Sequence, residues 1–447
     1  MLNDKGGSRG PRWRRQWVLI ALVLGLGSLV WAGCGSSSSD GESSSADSAK
    51  TNPGVPKVNV RFGMQPFGDH TIFVTGMTKG WFDDVGINIE PQPLGRDVPP
   101  GQAAQELVTN QLDMVSEYTP LAVQEMAHLP DIKIAGWNDI NFGTFVFANP
   151  DLNLETLEER IEGGESLEQA MEKIGEEMKG NSYAIEASGF HRIFYNTVAK
   201  YGKISLNDDL DLSVLEDPQI VQQALGGQLD FASPAGVAQM VQLFQAGWTP
   251  LVALETLVKE LPPEQVAPML GNTGWQATEK YLQENHDTVL RFNSVVFRII
   301  DATVNDPEAT LPDQTKYLER VTGTDIGVPG LTKVLTEIDP LTPFDEQADY
   351  WVNEDARFYY TKLYEPQIKA AQEGGVLPKN KQFKASDLIV AGKYYEELVE
   401  LKEKYDGMVG EADGLSGDKK ELAEDAAAQY EAFNYLDAVR LLEEALA

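Results

Sequence analysis

The stretch "QLDMVSEYTPLAVQ" (residues 111–124) returns as "QLDFASPAGVAQMVQ" (residues 228–242). A chain that writes one strand-then-helix phrase twice is constrained to build two similarly wound units. The surrounding pattern agrees. From Val58 onwards short apolar runs alternate with helical periodicity, the mark of α/β units with largely parallel sheets. "VNVRFGM", "INIEPQPL" and "LDMVS" read as strands separated by the helices "HTIFVTGMTKGWF" and "GQAAQELVTN". A second series repeats the order, with strands "NSYAIEA", "DLDLSVL" and "LDFAS" and helices "FHRIFYNTVAKYG" and "PQIVQQALGG". A shift of 121 positions lays "GDHTIFVTGMTK" on "GFHRIFYNTVAK", and a shift of 117 aligns the QLD phrases; a deletion of four residues reconciles the two. Apolar matches at helical spacing arise from shared core-facing stripes alone. Two phrases in the same order are harder to obtain that way.

Two such lobes face each other across a cleft, and ligands of open α/β sheets lie beyond the carboxyl ends of the strands. Helix N-termini there present unpaired N–H groups. The loops at those places are "QPFGDH" (65–70), "SEYTP" (116–120), "EASGFH" (186–191) and "SPAG" (233–236). The first offers Gln65, Phe67, Gly68, Asp69 and His70. Phe67 can stack on a planar group, and glycine lets a ligand come close to the backbone; alternatively Asp69 only caps the helix and Phe67 packs between loops. Ser116, Glu117, Tyr118 and Thr119 follow the first QLD strand, where Glu117 suits a cationic or N–H-bearing solute or simply stabilises a helix start. Ser188, Gly189, Phe190 and His191 repeat the arrangement in the second lobe. Ser233 is a helix cap or a ligand contact, and Trp275 either closes over the ligand or is a core tryptophan.

Length and charge set further limits. A chain of 447 residues suggests two or three globular units. The net charge is −33, and because residues 1–33 carry +4, the remainder carries −37. Such a field repels phosphate backbones, so nucleic-acid binding is not expected. The N-terminus "PRWRRQWVLIALVLGLGSLVWAGC" has a basic start, an apolar run too short for a comfortable membrane span and small residues before Cys34, the layout of an export signal. Cys34 is the only cysteine, which excludes an intramolecular disulfide and a cysteine-rich metal centre. The stretch resembles a bacterial lipoprotein signal, in which Cys34 becomes the lipidated first residue; Ala32 and Gly33 match and Trp31 departs from the usual aliphatic residue. Arg14 and Arg15 also resemble a twin-arginine export motif. Residues 34–56 then form a Ser-rich tether. These features imply a body held outside the membrane by a lipid on Cys34.

"RFGMQPFGDHTIFVTGMTKGWFDDVGINIE" resembles the opening of the solute-binding proteins of the nitrate, sulfonate, taurine and thiamine-precursor group, with Lys79, Gly80, Trp81, Phe82 and Gly86 at the shared positions. The "GQLD" of residues 227–230 and "QENHDTVLRFNSVVFRIIDATVNDPEA" also resemble that group, and Asn110 replaces the glycine in the first copy. The resemblance spans roughly residues 57–400. It implies an α/β fold of two Rossmann-like lobes with a hinge and ligand cleft, the type II periplasmic-binding-protein fold. It also implies a monomer that hands a small solute to an ABC permease and its ATPase, without a cofactor. The expected divisions are residues 57–145 for the first part of lobe 1, 146–250 for lobe 2, 251–404 for the segment completing lobe 1, and 405–447 for an acidic helical extension. Residues 152–180 form an insertion expected as a solvated surface helix pair. The extension looks like a tetratricopeptide-style hairpin that docks on the body or meets a partner.

Three other classes compete. An enzyme is disfavoured because no nucleophile with a spaced base and orienter is evident, and the cysteine cluster of the thiamine-pyrimidine-forming branch is missing. A metal-binding protein would draw on His70, His191 and Asp69 or Glu117. A tethered sensor would bind solute and feed no transporter. Helix N-termini favour a sulfonate-like anion as the solute, whereas Phe67, Phe190, Trp275, Glu117 and Glu186 favour a flat nitrogen heterocycle, which is the preferred choice.

Overall fold

The computed structural model describes residues 57–99, 101–187 and 191–447. The expected signal, tether and Cys34 lie outside these residues, as do Ser188, Gly189 and Phe190. The first lobe contributes β1 (Val58–Met64), β2 (Ile87–Glu90), β3 (Arg96–Asp97), β4 (Met114–Tyr118) and β5 (Ile132–Trp137). The second contributes β6 (Phe145–Ala148), β7 (Ser182–Glu186), β8 (Asp211–Leu215), β9 (Phe231–Ser233) and β10 (Thr249–Ala253), after which β11 (Thr273–Thr278) returns to the first sheet. The strand orders are β2-β1-β4-β11-β5 and β8-β7-β9-β6-β10. These are the same order. In each sheet three parallel strands are followed by one antiparallel strand, β11 or β6, delivered by the chain as it crosses between lobes.

The repeated QLD phrase has a structural job. Asp113 accepts a hydrogen bond from the Arg61 N–H at 2.8 Å, and Asp230 accepts one from the Ser182 N–H at 2.9 Å. Each aspartate thereby satisfies a donor on the neighbouring parallel strand just ahead of the residues that pair with its own strand, Arg61 before Phe62 and Ser182 before Tyr183. The residue ahead of each phrase turns through a left-handed conformation, Asn110 at φ 56° and Gly227 at φ 68°. Asparagine is among the few non-glycine residues that tolerate this region, which explains the exchange.

The insertion is more deeply built in than a solvated pair. Its helices Leu157–Glu162 and Leu167–Met178 start with capping boxes at Thr156 and Ser166. The second buries Leu167, Ala170, Met171, Ile174, Gly175 and Met178. It crosses the helix Arg192–Gly202 so closely that a Cβ on Gly175 would lie 2.0 Å from the Gly202 carbonyl oxygen. The segment is a covering layer of lobe 2, and apart from Arg160, which is buried against Glu177 at 2.8 Å, its charges are mostly exposed.

The helix His286–Asn305 is buried against the first sheet, with Phe292 between Phe62 and Phe82. The C-terminal helices Asp418–Glu431 and Tyr435–Leu446 dock on the body. Arg291 forks onto Asp437 at 2.8 and 2.9 Å, with both side chains buried. Tyr435 and Leu436 join the main core.

Three backbone segments meet between the sheets. The first crossing, residues 138–144, pairs with the second through Asn141 N–H on the Gly271 carbonyl at 2.9 Å. It pairs with a later segment through Phe142 N–H on Ile338 O at 3.1 Å and Thr342 N–H on Asn138 O at 2.8 Å.

Candidate functional site

A cavity of about 410 Å³ opens between the two sheets. Its wall joins the first-lobe loop (Gln65, Phe67, Gly68, Asp69, His70), Tyr118 and Asn141 to Glu186, His191 and the helix starts at 216–218 and 235–239 of the second lobe. Leu318, Val321, Thr322, Ile326 and Asp339 complete it.

The first loop follows β1 directly and turns into a short 3-10 helix, Asp69–Thr71. Phe67 is half-buried, with its ring 5.6 Å from that of His70. Gly68 has ordinary helical φ, so its role is spatial: a Cβ would meet Val334 at 3.1 Å and Val237 of the second lobe at 3.4 Å. Asp69 does not cap the helix; its carboxylate accepts from the Thr273 hydroxyl instead. His70 is buried, and its Nδ1 lies 2.7 Å from Ser116 Oγ. Burial pushes the His70 pKa down, so the ring is uncharged near neutrality.

Other expected contacts sit one layer back from the wall. Glu117 accepts from Gln65 Nε2 at 2.5 Å and from the Tyr118 N–H at 2.9 Å. Burial raises its pKa to about 7. Ser116 and Thr119 are buried, and Thr119 donates its N–H to Asn272 O at 2.9 Å. Ser233 is also buried, donating to Phe145 O at 2.6 Å and lying 2.8 Å from the Tyr183 hydroxyl. Trp275 is not on the wall. It is fully buried, donates its indole N–H to Asn293 at 2.7 Å and packs flat against Gly136, where a Cβ would clash at 2.0 Å. It is a core tryptophan of the first sheet.

Of the remaining wall carboxyls, Asp217 and Asp339 were not singled out in the sequence, whereas Glu186 was. Asp217 accepts from the Ala235 and Gly236 N–H groups at 3.0 and 2.7 Å. Glu186 accepts from the His191 N–H at 3.2 Å. Asp339 takes the Gly143 N–H at 3.2 Å on Oδ1, while its buried Oδ2 has no hydrogen-bond partner among the described residues. Asp139 lies behind it in the same state, with Oδ1 on the Thr273 N–H at 2.7 Å. Burial first, then the mutual proximity of Asp69, Asp139 and Asp339, raises the pKa values of Asp139 and Asp339 well above the carboxylate range. A position such as Glu216 or Asp217 could have been flagged by an acidic pair ahead of Pro218 opening a helix. Asp339 carries no local signal.

Among the described residues no group of three or more His, Cys, Asp or Glu side chains is arranged to hold a metal ion. No protein-family model matches the chain, and no curated protein matches it. Solved structures do. The periplasmic aliphatic sulphonate binding protein SsuA from Escherichia coli superposes with a TM-score of 0.51 at 13% identity, over 76% of this chain and 99% of that one. The sulfonate-binding protein SsuA from Methylobacillus flagellatus gives 0.50 at 12% identity over 77% and 95%. The periplasmic nitrate-binding protein NrtA from Synechocystis PCC 6803 gives 0.50 at 13% over 76% and 88%. At such identities the likeness concerns architecture. With its two equally ordered sheets and a helical C-terminal region, the chain has the type II periplasmic-binding-protein fold.

Proposed function

We propose that this protein is an extracytoplasmic solute-binding protein, tethered through Cys34, that captures a small organic solute between its lobes and delivers it to an ABC importer. The observation that carries the reading is one cavity of about 410 Å³ walled by corresponding loops of both lobes, a size suited to a small molecule. A solute that touches both lobes binds the closed form more tightly than the open one, which is the only way a ligand shifts such an equilibrium. The fold shared with sulfonate- and nitrate-binding proteins supports the same role. Of the two solute classes drawn from the sequence, the wall favours the flat nitrogen heterocycle: Phe67 offers a ring face, and carboxyl side chains line the cavity with no lysine or arginine among the described residues. Thermal-shift measurements on the purified chain against pyrimidines, flavins, sulfonates, nitrate and divalent metals test the proposal. Stabilisation by an organic solute, lost in Phe67→Ala, is expected. Stabilisation by zinc alone, reversed by a chelator, would overturn it in favour of a metal-binding protein.

A further inference from the structure

Resting on that solute-binding reading, we infer that the cavity selects an organic cation, a protonated amine or amidinium on an apolar body, and rejects anions. Two independent observations carry this. The first is the charge of the wall. Asp69, Glu186, Glu216, Asp217 and Asp339 line the cavity, and no lysine or arginine does so among the described residues. Residues 188–190, between Ala187 and His191, are Ser-Gly-Phe in sequence and carry no charge. The wall histidines, His70 and His191, are held neutral by burial and so offer no countercharge.

The second observation concerns the donors. In this architecture an anion would bind to main-chain N–H groups at helix starts. Here carboxylates of the chain already occupy them. Asp217 takes Ala235 and Gly236, at the start of the nine-residue helix Val237–Gln245, and Glu186 takes His191. In the first lobe Glu117 likewise takes the Tyr118 N–H and the Gln65 amide. An incoming sulfonate would find these main-chain N–H groups spent and like charge behind them. Left over on the wall, with no partner among the described residues, are His191 Nδ1 and the fully buried Oδ2 of Asp339. Burial and the nearby Asp69 hold Asp339 in its protonated form while the cavity is empty; a cation beside it favours release of that proton, and the cation's N–H then satisfies the charged oxygen.

The arrangement also couples charge to closure. Asp69 and Asp339 face the cavity from the first sheet and the crossing segments, and Glu186 and Asp217 face it from the second lobe. A cation placed among these carboxyl groups relieves their mutual repulsion and favours the charged form of Asp339. The apolar part of the wall, Phe67, Val237, Leu318 and Ile326, accommodates the uncharged body of the solute.

The test uses the purified full chain and two sets of probes, benzamidine and agmatine against benzenesulfonate, ethanesulfonate and nitrate, read by thermal shift and by calorimetric titration. The expected result is stabilisation by a cation and none by the anions. Asp339→Asn should weaken cation binding by about tenfold or more, as loss of a charge-assisted contact does, while near-UV circular dichroism stays that of the parent. Asp217→Ala should free two N–H groups and admit benzenesulfonate. Stabilisation by an anion in the parent chain, alone or equal to that by the cations, overturns the cation assignment and leaves the solute-binding reading standing. No response to either set overturns both.

Discussion

The two lobes share a skeleton and differ at the same two positions of their cleft loops. In the first, His70 Nδ1 is paired with Ser116 Oγ at 2.7 Å. In the second, the corresponding Ser233 spends its hydroxyl on Phe145 O and Tyr183, and His191 Nδ1 is buried without a partner among the described residues. The strand-pinning aspartates, by contrast, do the same thing in both lobes. The two lobes share the bonds that define the sheet and differ in those just behind the cavity wall. A framework bond is fixed by backbone geometry, which both copies need, whereas a cleft bond answers to whatever the cleft holds.

That comparison can be broken most forcefully at Trp275. Trp275→Ala removes a fully buried side chain from the first sheet and is expected to cost about 3–5 kcal/mol in urea unfolding, whereas Phe67→Ala, half-buried at the cavity, should cost far less and show mainly in solute binding. A Trp275→Ala protein of near-parental stability would place that ring outside the framework.

The next largest effect concerns pH. Glu117 belongs to the first lobe only; Pro234 stands at the equivalent position in the second. With its folded pKa raised from 4.5 to about 7, the native state holds a proton that the unfolded state has released. Its contribution is therefore complete below about pH 4.5 and is lost as pH rises through about 7, a change of about 3 kcal/mol. Melting temperatures of the parent and Glu117→Gln between pH 4 and 8 check this; the difference between them should grow towards pH 8, with the variant more stable. Parallel curves would show that Glu117 keeps an ordinary affinity for its proton.

Smaller effects sharpen the shared part. Asp113→Ala and Asp230→Ala should each cost about 1–3 kcal/mol by orphaning a strand N–H. Asp113 should lie at the upper end, because it also receives the Arg61 guanidinium at 2.5 Å. Unequal losses in the opposite order would argue against equivalent roles. Smallest of all, Asn110→Gly makes the first turn like the second and should change stability by less than about 1 kcal/mol, while Gly227→Ala, forced to the same positive φ, should lose about 1 kcal/mol or more. Chemical denaturation resolves both.

Much of this fold was legible because it rests on local rules. The β1 string "VNVRFGM" coincides with Val58–Met64, and the doubled QLD phrase announced two equally ordered sheets. The crossing strands β6 and β11 were not foreseen, because an antiparallel partner supplied from the other lobe leaves no mark in nearby sequence. Among the cleft candidates, Gln65, Phe67, Gly68, Asp69, His70, Tyr118 and His191 reach the cavity wall together. Ser116, Glu117, Thr119, Ser233 and Trp275 do not, since a loop or strand residue can point inward as readily as outward and only the packing decides. Asp339 joins the wall from 196 residues beyond Gly143, its backbone partner. No periodicity reports a contact of that span.

The three-ply junction between the sheets has a mechanical consequence. Phe142 is laced to Ile338 and Asn141 to Gly271, so a rotation of one jaw cannot be absorbed by a single slack joint. Torsion must be spread over three strips of main chain, one of which belongs to the stretch leading to the C-terminal bundle. Any turning of one jaw against the other would therefore also twist the strip of chain that runs on towards the C-terminal helices.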